Sequence, residues 1–225
     1  QISNDANFSA DYNDYSRPDA SKKVRLMATF SFPNITPATN TFELVSNTRT
    51  YQSPLTNAVQ TASRKGSLWK ASLQFNNLSG DNRQEMQAFL VKLNGQQHRF
   101  TLHDHSFTRR GGGGGTLLVN GSGQSGTSLV CNGASASITN YLRAGDYVSF
   151  SNELHMVVAD TNSDASGNVT LSIAPPIRKV PTSGVVVDYA APVSGVFMLA
   201  GPASWNTTID IHSSFNIEAV EDVLA

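Results

Sequence analysis

His103-Asp-His105 is the pair in this sequence best suited to hold a metal. On a strand, residues i and i+2 face the same way, so the two imidazoles would share a face. Zinc needs at least a third protein ligand, and the remaining histidines, His98, His155 and His212, are scattered. The expectation is a hydrogen-bonded strand end and no metal. Asp160-Thr-Asn-Ser-Asp-Ala-Ser-Gly-Asn168 alternates oxygen donors as a calcium loop does. Its glycine comes too late for the sharp turn, however, and its twelfth position is Leu171 where a bidentate Glu is required. A hairpin connection explains the same residues.

The run Gly111–Gly115 lacks the Gly-Lys-Ser/Thr ending of a phosphate loop, and Thr116-Leu-Leu-Val119 reads as a strand where that loop needs a helix. Cys131 is the single cysteine, flanked by Leu129 and Val130, and reads as a buried strand thiol. Arg109-Arg110 reads as solvated charge. No Gly-x-Ser-x-Gly elbow occurs, and the carboxylates are too scattered to nominate a glycosidase pair. Basic residues do not interleave with aromatics as on a nucleic-acid platform. The expectation is no enzyme, with no catalytic, cofactor-binding or metal-binding residues.

The elements that carry these residues read as mainly β. Hydrophobic residues make up 39% and charged residues 15% of 225 positions, with Ser, Thr, Asn and Gly filling the difference, which favours turns and strand edges. The net charge of −1 provides no global field to attract nucleic acid or an anionic membrane. It hides an asymmetry: residues 24–110 carry ten basic and four acidic groups, residues 111–225 three basic and nine acidic. The two segments either neutralise each other within one fold or help copies pack head to tail. No apolar run approaches the ~20 residues of a membrane helix, and no signal-like start is visible. A soluble protein made in a reducing cytoplasm is the simplest expectation.

Residues 1–23 are polar and aperiodic and read as an N-terminal arm. Val24–Phe32 alternates as a strand, Thr41–Val45 suggests another, and Tyr51–Asn57 and the polar stretch to Gly66 read as loop. Trp69, Leu73 and Phe75 fall on one face of a strand. Ser79 or Asp81 can cap a helix, with capping-box spacing at Asp81–Gln84, and Met86, Phe89, Leu90 and Leu93 form its apolar stripe. Gly95 is the expected left-handed stop. Phe100 and Leu102 lie on the next strand. These nine residues, Trp69 to Leu102, are the candidate core. Five glycines at 111–115 then read as a flexible linker. They lead into an inserted all-β module at 116–193, a small barrel or sandwich of short apolar runs. Val196–Ala200 and Ile209–Phe215 return as strands. A sheet-plus-helix domain is thus expected from 24–110 and 194–225, and a short Gly/Ser bridge is expected to replace 116–193 without unfolding it.

The order of segments carries a resemblance. Ser53-Pro-Leu-Thr56, Trp69-Lys-Ala-Ser-Leu73, the helix Glu85-Met-Gln-Ala-Phe-Leu-Val-Lys-Leu-Asn-Gly95 and Phe100-Thr-Leu102 follow one another as in siphophage distal tail, or tail-tip hub, proteins. Leu142-Arg-Ala-Gly-Asp-Tyr-Val148, Leu154-His-Met-Val-Val-Ala-Asp160, Gly167-Asn-Val-Thr-Leu-Ser-Ile-Ala-Pro-Pro176 and the returning Gly195-Val-Phe-Met-Leu-Ala200 resemble a phrase common in that family. The likeness covers roughly residues 40–215; the individual motifs are structural, and their order carries it. It implies a homo-hexameric ring in the virion, at the distal end of a phage tail. The ring would join the tail tube protein to the hub or fibre protein around the tape-measure terminus or the DNA path, and it would be assembled in the host cytoplasm. The sheet-plus-helix domain would build the ring, and the β module would project outward. An alternative of another class is a carbohydrate- or receptor-binding β module of the virion.

Overall fold

The computed structural model describes residues 27–63 and 66–222. The arm read at 1–23, and the first residues of the strand read from Val24, lie outside them. The described residues are mainly β, with one helix. Seven strands form the larger sheet: β1 (Thr29–Ser31), β2 (Thr39–Val45), β5 (Leu68–Leu78), β6 (Arg99–Leu102), β12 (Ser194–Leu199), β13 (Ser204–Thr207) and β14 (Ser213–Glu221). The order is β1-β6-β12-β14-β5-β2, with β13 also on β14; only the β1–β6 pair is parallel.

The helix α1 (Gly80–Lys92) lies against this sheet and buries Met86, Phe89 and Leu90. Ser79 is its N-cap by backbone conformation, but no side chain caps it, so the capping box does not form. Asn94 and Gly95, with φ of 49° and 65°, make the left-handed stop. Trp69, Leu73, Phe75, Met86, Phe89, Leu90, Leu93, Phe100 and Leu102 are all buried, in one cluster. Phe89 meets Phe100 edge-on, with ring centroids 5.7 Å apart. Truncating Phe89 to Ala should cost about 3–5 kcal/mol in urea unfolding; a loss below about 1 kcal/mol would mean that the stripe faces a weak contact.

A second cluster fills the segment read as a module. Its sheet runs β7 (Gly115–Val119), β8 (Gly126–Ala134), β11 (Val169–Ile177), β10 (Glu153–Val157), β9 (Tyr147–Phe150). Val185–Tyr189, one of the short apolar runs of this segment, bonds to both edges of this sheet. On β7, Val119 N–H donates to Val185 O at 2.9 Å and Val187 N–H to Leu117 O at 2.9 Å; on β9, Ser149 and Asp188 exchange both backbone bonds at 2.8 Å. That bridging segment closes the curled sheet into a small barrel-like unit.

Two stretches differ from the sequence reading. The loop expected after Tyr51 is a two-stranded ribbon, β3 (Thr48–Gln52) paired with β4 (Val59–Ser63). Its polar and β-branched residues satisfy strand geometry without an apolar face, so no hydrophobic alternation announces it. Conversely, Ile209 and Ile211, read as part of a strand, sit in the turn between β13 and β14.

Candidate functional site: the seam between the two cores

The chain leaves the larger sheet after Leu102 and returns at Ser194, and these two residues are register partners on neighbouring strands. Everything between is attached at one place on the sheet, as an insertion requires. The glycine run is not the free tether expected from composition. Asp146, fully buried, accepts Arg110 N–H at 2.8 Å and, through its other oxygen, Gly111 N–H and Arg143 N–H at 2.9 Å each. Gly112 and Gly113 donate to Asn140 O and Tyr141 O at 3.0 and 2.9 Å. At Gly111 a Cβ would lie 2.5 Å from Tyr141 O, and at Gly115, with φ +75°, 2.3 Å from Gly133 O. At these two positions backbone passes too close for any side chain, and at Gly113 and Gly114, both at positive φ, a Cβ would meet the Tyr189 and Ser135 side chains at 2.8 and 2.5 Å.

Beyond this tie, residues of the module enter the first core. Tyr147 and Leu154 belong to the cluster that holds Trp69, Phe100 and Phe197. Tyr147 meets Trp69 with ring centroids 5.7 Å apart, and Trp69 Nε1–H donates to Leu154 O at 2.8 Å. Around this contact lies a buried set of charges. Glu221 occupies an inward position of β14, following Phe215, Ile217 and Ala219 on the same face. Its carboxylate accepts both terminal nitrogens of Arg178, at 2.7 and 2.8 Å, with Ser194 Oγ–H and Trp69 N–H at 3.2 Å. Arg178 also donates to Ser67 O at 2.9 Å, and its Nε lies 3.4 Å from Glu153 Oε1. Glu153 in turn accepts Arg178 N–H and Lys179 N–H, and its Oε2 lies 3.3 Å from His155 Nε2. His155 is buried flat against Phe150, with Nδ1 2.8 Å from Pro175 O.

Burial alone would push the Glu153 carboxyl up; the hydrogen bond from His155 and the Arg178 charge outweigh it and hold the group below the usual carboxylate range. Burial likewise disfavours the Arg178 cation, and Glu221 and Glu153 more than restore it. Two carboxylates, an arginine and a histidine could in principle move protons, but here each is engaged by another protein group, and none lines any of the surface cavities described. The set fixes the module's orientation on the sheet. Sequence reading missed it. The available signals were Glu221 at an inward position of an alternating strand and Arg178 after an apolar one, and neither names its partner.

The metal candidates do not converge. His103 and His105 stack at 4.3 Å beyond the end of β6, and burial pushes both rings below the ordinary histidine range. Asp104 between them is taken up by Asn40 Nδ2 at 2.6 Å and by Ser106 N–H and Oγ–H at 2.9 and 2.6 Å. His98 accepts Ala28 N–H, His155 is in the seam, and His212 reaches Asn77 O. Among the described residues no three histidine, cysteine or acidic groups gather to hold an ion. In the calcium-like loop, Asp160 accepts Ala144 N–H, and Asp164 accepts Ser166 N–H and both Asn168 donors. The Asn168 bonds hold Asp164 below the usual carboxylate range, so those oxygens already serve the turn. Melting curves with and without EDTA should superimpose; a clear drop under chelation would reveal a site these contacts conceal. Burial pushes the Cys131 thiol up to about 12, which leaves it unreactive at neutral pH.

No protein-family model matches the sequence, and no curated protein matches it.

Proposed function

We propose that this chain is a structural subunit of a bacteriophage virion: it builds a six-fold ring at the distal end of the tail, between the tail tube and the central hub or fibre. The observation that carries the reading is the insertion topology. A sheet crossed by one helix forms the body, and a self-closed β unit departs from and returns to it at the paired residues Leu102 and Ser194. That is the build implied by the order of the sequence segments. The charge set of the seam suits such a role, because a ring subunit must hold its projecting part at one angle. The ring's own partners in this reading are further copies, the tube protein, the hub or fibre protein and the tape-measure terminus. Electron images of the purified protein test it: closed six-fold rings are expected, and particles of one or two subunits at every concentration would sink it.

A further inference from the structure

Two exposed apolar projections lie at opposite ends of one strand. The first is the β3–β4 ribbon. All of β3 and the described side chains of β4 are exposed, and no residue of the ribbon belongs to either core. Tyr51 and Val59 are more than half exposed, and Leu55, in the turn, is 94% exposed. A two-stranded ribbon with no sheet or helix beneath it is marginal in water, and a leucine at its tip gains nothing there. The second projection is the β13–β14 turn, where Ile209 is 100% exposed, Ile211 is 61% exposed at φ +60°, and Trp205 is partly exposed nearby. Neither isoleucine packs on the body.

Their positions follow from the register. The ribbon emerges beside the Val45–Leu68 pair, at the start of β5; the turn closes next to the Ser213–Leu78 pair, at the end of β5. Ten residue steps at ~3.3 Å separate the two ends by roughly 33 Å. The charges are opposite. Residues 48–63 contain Arg49 and no acidic residue; residues 204–212 contain Asp210 and no Lys or Arg.

We infer that the β3–β4 ribbon docks on the β13–β14 turn of a second copy of this chain, Leu55 and Tyr51 covering Ile209 and Ile211 while Arg49, on the same strand face as Tyr51, meets Asp210. Because donor and acceptor are different surfaces at opposite ends of the sheet, the contact can repeat head to tail or be exchanged twice within a two-fold pair. Closure of that repeat into a ring rests on the function proposed above; the contact itself does not.

The test mixes two single variants, Leu55→Cys and Ile209→Cys, under mild oxidation, with the parent as control for the buried Cys131. Cross-linked pairs should form at least tenfold more in the mixture than in either variant alone. In parallel, Leu55→Asp and Ile209→Asp, both at exposed positions, should keep the parent's circular dichroism and melting while the native mass falls to that of one chain. Cross-linking within Leu55→Cys alone would mean that ribbons meet ribbons, and it would overturn the inference. So would an uncross-linked mixture, or an assembly unchanged by both aspartates; in the last case the ring reading survives. An open chain or dimer that the aspartates dissolve would leave the docking standing and remove the ring.

Discussion

Arg178→Met should cost about 3–5 kcal/mol at neutral pH, close to the largest loss any single side chain here can produce. The methionine fills much of the same volume, so the effect is electrostatic. It leaves Glu221, with no exposed side-chain area, without its two-pronged partner, and it leaves Glu153 with His155 and the backbone N–H groups of residues 178 and 179. Breaking a buried pair from one side is costly because the remaining charge keeps its desolvation penalty. The pH dependence has a definite sign. In the parent, the Glu153 carboxyl is depressed, so its contribution is present above its unfolded value and is lost as pH falls through the lower folded value. In the variant, burial of Glu153 is no longer opposed by the arginine, so its carboxylate binds a proton more readily. The gap between parent and variant should therefore narrow from pH 7 toward pH 5. Urea titrations at several pH values measure it, and a constant gap would show that the loss is one of packing. Adding Glu221→Gln to Arg178→Met should recover part of the loss at pH 7.

How much of this was readable beforehand depends on periodicity. The helix stripe from Met86 to Leu93 and the faces of β5 and β6 were legible because apolar spacing reports which side is buried. The small barrel was legible as short apolar runs between turns, although the bridging role of Val185–Tyr189 was not, since a segment bonded to two edges looks like any strand. The β3–β4 ribbon was hidden because it has no buried face, and Ile209 misled because an exposed apolar residue has the same letter as a buried one. The glycine run misled for a related reason. Composition suggests a loose tether, whereas the structure holds the run in place, with Gly113, Gly114 and Gly115 at positive φ and a Cβ at Gly111 meeting Tyr141 O and Leu142 Cα within 2.6 Å. The seam was invisible because Arg178, Glu153 and Glu221 meet only through the fold.

Those seam contacts change what excision of the module should do. Replacing 116–193 with a short Gly/Ser bridge satisfies the chain, since Leu102 and Ser194 are already neighbours and loop closure adds little. It does not satisfy the core. The deletion withdraws Tyr147 and Leu154 from the first cluster and uncovers Trp69 and Phe42, which they help to enclose. Two large side chains removed at about 1.5–3 kcal/mol each, with Trp69 Nε1–H losing Leu154 O, come to about 4–7 kcal/mol. Glu221 adds less than in Arg178→Met, because the deletion that removes its partner also admits water to it. A loss of that size is comparable to the whole stability of many domains. The bridged deletion should therefore melt far below the parent or remain aggregated. Keeping the seam face wet-compatible, by Trp69→Thr and Phe42→Thr on the bridged background, should restore solubility and a cooperative transition. A bridged deletion that melts within a few degrees of the parent would show that Tyr147 and Leu154 lie on the sheet without supporting it.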